Sequence, residues 1–111
     1  MNKFYHCSFI FPGVPKMRDL GPAFSESGDD WIRVSATTWI IWTAKDTNAI
    51  SYRVMPLLDM YDNFIISEMN PRLTFGRMPP WVWTWINAKS PGSVVVYDVL
   101  SLPRPALPKP Y

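Results

Sequence analysis

The sequence predicts an α+β fold, an antiparallel sheet with helices packed on one of its faces. Three observations carry that expectation. Apolar residues alternate with period two in KFYHCSFIF, and WIRVSATTWIIWT is rich in β-branched and aromatic residues without glycine or proline. A helical apolar spacing follows a capping residue near Asp46. The length, 111 residues, supports one hydrophobic core and not two, so residues 1–100 are read as one domain and 101–111 as a proline-rich tail.

The first strand is expected over Lys3–Phe11, with Tyr5, Cys7, Phe9 and Phe11 on one face and Phe4, His6, Ser8 and Ile10 on the other. Pro12-Gly13 ends it. Val14–Asp30 reads as a loop with a helical turn or two, over Pro15–Leu20 or Pro22–Ser27, because Gly21-Pro22 interrupts any longer helix. Trp31–Thr43 reads as one long strand with a bulge or break near Ser35–Thr38. Asp46 or Thr47 caps a helix that places Ile50, Val54 and Leu57 or Leu58 on one side and that Pro56 ends or kinks. Asn63–Met69 is expected as a short buried strand and Ser93–Leu100 as the last strand. The tail PRPALPKPY, with four prolines in nine residues, suits polyproline II or disorder.

Totals narrow the function. Eleven basic and nine acidic residues give a net charge of +2, too balanced overall to announce a nucleic-acid or membrane partner. One cysteine excludes an internal disulfide and a cysteine-based zinc site. The N-terminus lacks the continuous apolar run of a signal peptide, and no stretch reaches the roughly 18 apolar residues of a membrane span. A cytoplasmic protein with no membrane partner is expected.

The segment RMPPWVWTWIN holds Trp81, Trp83 and Trp85, half of the six tryptophans. Read as a strand, it projects all three from one face. Read as a helix, it begins at Pro79-Pro80, where a missing N–H costs nothing, and ends with Asn87 as C-cap. The helix is the preferred reading, with Trp81 and Trp85 beside Val82 and Ile86 and Trp83 off to the side. A core or dimer-interface role is preferred over base stacking, since large aromatics dominate cores and interfaces and only Arg72, Arg77 and Lys89 supply charge nearby.

Catalytic constellations are scarce. His6 and Cys7 point to opposite faces of a strand and cannot act as a base–nucleophile pair by adjacency. The close carboxylates Asp29-Asp30 and Asp59 with Asp62 fall where solvated turns or caps are expected. The five glycines are scattered and form no phosphate loop. Neither an enzyme nor a cofactor is expected, and no metal site.

Thr37–Asn70, TTWIIWTAKDTNAISYRVMPLLDMYDNFIISEMN, resembles the middle of small ferredoxin-like proteins grouped with the CRISPR-associated endoribonuclease family, and MPPWVWTWIN resembles the ending of small phage and bacterial proteins of that shape. The resemblance, over roughly residues 37–87, implies a ferredoxin-like sandwich and a homodimer joined at sheet edges. The family's nucleases carry a metal-binding aspartate at the end of the first strand, whereas this strand ends Phe9-Ile10-Phe11-Pro12-Gly13, so the activity is not carried over.

The expected function is therefore a small non-catalytic binding protein acting through protein–protein contacts, as a phage-type or bacterial accessory factor that modulates or inhibits a host machine. Trp39, Trp81, Trp83 and Trp85 are its candidate contacts, with the P-x-x-P prolines Pro105 and Pro108 of the tail. The partner protein is not identifiable from the sequence. The alternative is a nucleic-acid-binding protein, with Arg33, Arg72, Arg77 and Lys89 on phosphates and Trp39 or Trp83 stacking. A metal-dependent nuclease using Asp29, Asp30 or Asp62 ranks last.

Overall fold

Eight residues of alternating character, Lys3–Ile10, form strand β1 of the computed structural model, which describes residues 1–12, 20–25 and 29–92. The elements that follow are α1 (Gly21–Phe24), β2 (Asp30–Ser35), β3 (Thr38–Thr43), α2 (Thr47–Val54), β4 (Asn63–Met69) and α3 (Pro80–Lys89), with 3-10 turns at Met55–Leu57 and Pro71–Leu73. The chain divides into two compact units, Met1–Thr74 and Phe75–Tyr111. The sheet, α1 and α2 belong to the first, and α3 to the second. The expected strand Ser93–Leu100 and the proline-rich tail, with Pro105 and Pro108, lie outside the described residues.

The four strands run in the order β2-β3-β1-β4, and every neighbouring pair is antiparallel. The fold class is α+β, as the sequence predicts. Each helical connection, β1–α1–β2 and β3–α2–β4, passes over one intervening strand. The β1 faces are those read from the alternation. Tyr5, Cys7 and Phe9 join Trp39 and Ile41 of β3, Leu20, Ala23 and Phe24 at α1, and Ile50 and Val54 of α2 in one buried cluster. Thus α1 and α2 cover a single face of the sheet.

The long strand expected over Trp31–Thr43 is instead a hairpin, turning at Ala36-Thr37 between the paired residues Ser35 and Thr38. The expected break near Ser35–Thr38 is this turn. The register then shifts between Arg33 and Ser35, so that Arg33 pairs Trp39 and Trp31 pairs Ile41. Continued without that shift, the turn register would set Val34 opposite Trp39 and Ile32 opposite Ile41. The extra residue therefore puts Trp31, and not Ile32, on the core face, because side chains alternate with period two. Trp31 packs against the core there and donates its Nε1–H to Ser25 Oγ at 2.9 Å.

Asp46, not Thr47, caps α2: its carboxylate accepts the Ala49 N–H at 2.8 Å. Ile50 and Val54, one helical turn apart, are the buried face, and Leu58 rather than exposed Leu57 packs against the core after them. Pro56 follows α2 within the 3-10 turn, as a residue without an N–H requires. The strand expected as buried, β4, is corrected to half-exposed: Phe64 and Ile66 pack inward while Ile65 stands 67% exposed. Its opposite face carries Asn63 and Ser67 beside Ile65, a mixed pattern that an apolar reading of FII overlooked.

Candidate functional site

The tryptophan segment is helical, with Pro80 as its first residue and Pro79 before it. At about 100° per residue, the buried pair Val82 and Ile86 defines one stripe, with Trp83 and Trp85 flanking it about 80° away on either side. Both are half-buried, whereas Trp81, farther round, is 51% exposed. The expected grouping of Trp81 with Val82 and Ile86 is corrected accordingly. Asn87 does not end the helix, which continues to Lys89, where the Ser90 N–H bonds to the Ile86 carbonyl and Gly92, at φ 75°, completes the turn. The Lys89 ammonium lies 5.8 Å from the Trp85 ring centre, one turn back.

Trp39 is a core residue. It is 1% exposed, meets Phe9 edge-to-face at 5.2 Å between centres, and lies 6.1 Å from Phe24. Arg33 covers the same ring, with its guanidinium carbon 4.4 Å from the ring centre. That guanidinium also donates to the carbonyls of Ala36, at 2.7 Å, and Ser35, at 3.3 Å. Buried in this way, Trp39 presents no ring face to a base or a partner, and Arg33 is committed to the hairpin turn. Arg72 and Arg77 are both exposed.

The described carboxylates are engaged within the fold. Asp30 accepts the Trp31 N–H at 2.8 Å. Asp59 and Asp62 close a turn on each other: the Asp59 N–H donates to Asp62 Oδ2 and the Asp62 N–H to the Asp59 carbonyl. Asp29 departs from the solvated turn expected of it. Its side chain is only 6% exposed and accepts from Thr43 Oγ1 at 2.8 Å and from Lys45 Nζ at 3.1 Å, with Arg53 Nη1 at 3.9 Å. One carboxylate thus ties the entry of β2 to the end of β3 and the last turn of α2. No local motif announces this network, because its members are spread from residue 29 to 53. Among the described residues no group of three or more His, Cys, Asp or Glu side chains is placed to hold a metal ion.

Cys7 is fully buried, and burial pushes its thiol up to about 12. Burial, followed by the Glu68 carboxylate, also raises the Tyr5 phenol above its ordinary value. The unfolded chain therefore loses these protons first as pH rises, so it binds fewer protons than the folded chain and stability declines. The contribution of Cys7 is complete below about pH 9 and is lost progressively towards pH 12. Urea midpoints are expected to fall between pH 8.5 and 10.5, and Cys7→Ala is expected to flatten that fall. Unchanged midpoints would contradict the buried thiol.

β4 and the chain leading into it expose several apolar side chains. β4 pairs with β1 through seven consecutive residues with no register shift, and among the described residues it has no second strand neighbour. Its one charged residue, Glu68, pairs with Lys3 across the strands at 3.4 Å. Ile65 is exposed on the strand, and Tyr52, Met55, Leu57, Met60 and Tyr61 are exposed in the preceding segment. Sequence reading missed this set, having placed the contacts on tryptophans. Comparison with protein-family models, with curated proteins and with solved structures finds no match for the chain. Among the described residues no helix is long and apolar enough to cross a membrane.

Proposed function

We propose that this is a small non-catalytic binding protein that acts through protein–protein contacts, beginning with a second copy of itself along the edge of β4. The observation that carries the reading is the difference between the two edges of the sheet. Strand β2 has an irregular register near Val34 and turns a charged residue, Arg33, towards the core side, both devices that discourage edge pairing. Strand β4 is regular, lacks proline and glycine, and exposes Ile65.

Its sequence also suits a two-fold axis. Antiparallel pairing centred on Ile65 sets Ile65 against its copy, Phe64 against Ile66 and Asn63 against Ser67, matching like with like. Asp62 and Glu68 then oppose each other only at the ends of the pairing. The exposed apolar series from Tyr52 to Tyr61 offers further surface to a protein partner. The engagement of Asp29, Asp59 and Asp62 within the fold, and the burial of Cys7, support a role without chemistry.

The fold belongs, in this reading, with the ferredoxin-like sandwiches. Two interleaved βαβ units and the order β4-β1-β3-β2, taken from the other edge, support it. Light scattering on a sizing column tests the proposal: the chain is expected at about twice its 12.8 kDa mass, and Ile65→Lys at the mass of one chain. A single-chain mass at every concentration would overturn self-association.

A further inference from the structure

The near-neutral total charge conceals an asymmetry. The unit Phe75–Tyr111 has four basic residues and one acidic residue, whereas Met1–Thr74 has seven basic and eight acidic. From Met69 to Tyr97 there is no carboxylate side chain at all. Within this basic stretch two aromatic rings reach solvent, Phe75 at 83% exposure and Trp81 at 51%, and exposed Arg77 lies between them in the chain. At Gly76 an added Cβ would meet nothing within 4 Å. Pro79 and Pro80 stiffen the link to Trp81.

We infer that the segment from Phe75 to Trp81 binds single-stranded nucleic acid, with Phe75 and Trp81 stacking on bases and Arg77 meeting phosphate. Exposed rings with a cation between them, in a stretch free of carboxylates, suit such strands, since every base has a face to stack and every linkage has a negative charge. A duplex buries its base faces and offers these rings nothing. An anionic bilayer fits less well, because it takes up a helix with a continuous apolar face. Here the apolar stripe of α3, Val82 and Ile86, is already buried. Lys89, near the end of α3, adds to the field without being needed for contact. The inference does not depend on self-association.

The test is fluorescence anisotropy of the full chain with labelled 20-nucleotide oligo(dT) and oligo(U) at 50 and 200 mM salt, with duplex DNA, heparin and phosphatidylserine vesicles as competitors. Binding is expected to weaken with salt, and Arg77→Ala to reduce the salt slope by about 0.7, the share of one phosphate contact on a single strand. Phe75→Ala and Trp81→Ala are each expected to weaken binding by about 5- to 150-fold, the effect of one lost base stack. Both rings are exposed enough that circular dichroism should show the variants folded. Absence of binding at 50 mM salt would overturn the inference. So would binding that survives both ring substitutions, or that heparin or vesicles displace as well as unlabelled oligonucleotide does, since that behaviour marks a general attraction to polyanions or lipid.

Discussion

Asp29→Asn is expected to destabilise the protein by about 3 kcal/mol, lowering the melting temperature by roughly 12–24 °C for a domain of this size. Asparagine keeps the shape but removes the charge that faces Lys45 and Arg53 and one of the oxygens that accept hydrogen bonds. Breaking a buried ion pair from one side costs about 3–5 kcal/mol because the remaining charge stays uncompensated. The lower end applies here, since the Lys45 and Arg53 side chains keep 29% and 25% of their exposure and water can partly replace the carboxylate. Thr43 keeps its acceptor in the asparagine oxygen, so the cost falls on the side facing Lys45 and Arg53. Calorimetry on the variant decides the matter. A shift below about 3 °C would mean that the network is screened and stabilises little.

Trp39→Ala is expected to cost about 3–5 kcal/mol, enough to leave a marginal domain of this size largely unfolded at 37 °C. The ring fills the centre of the cluster between Phe9 and Phe24, and its removal leaves a cavity that two strands and a helix cannot collapse to fill. Arg33 loses the surface over which it lies. Trp81→Ala, on a half-exposed ring, is expected to change stability by less than about 1 kcal/mol. Urea unfolding of the two variants measures the contrast. Equal losses would contradict the assignment of Trp39 to the core and of Trp81 to the surface.

Much of this fold is legible in the chain, and the parts that are not have identifiable causes. Alternation sorts the β1 faces correctly because period two is enforced wherever one side is buried. Asp46 and Pro56 bracket α2 through local backbone chemistry that needs no tertiary information. The turn at Ala36-Thr37 shows in the sequence only as a bulge or break near Ser35–Thr38, because it carries neither glycine nor proline and its flanks are uniformly rich in strand-forming residues. The exposure of Ile65 depends on strand order, which is decided by long-range packing and leaves β4 with one strand neighbour among the described residues. The Asp29 network is long-range too: Asp29 and Lys45 meet only once β2 and β3 have paired and α2 has docked. For the candidate sites, the sequence points rightly to a tryptophan helix. It cannot distinguish Trp39, sealed in the core, from Trp81, which reaches solvent.

The difference proposed between β2 and β4, the outer strands among the described residues, can be measured directly by amide hydrogen exchange, read strand by strand at about 1 and 100 μM protein. If copies of the chain meet along β4, amides within Phe64–Ser67 exchange more slowly at the higher concentration while those of Asp30–Ser35 do not change. Exchange in β4 that is independent of concentration, or protection that grows at β2 instead, would contradict the account.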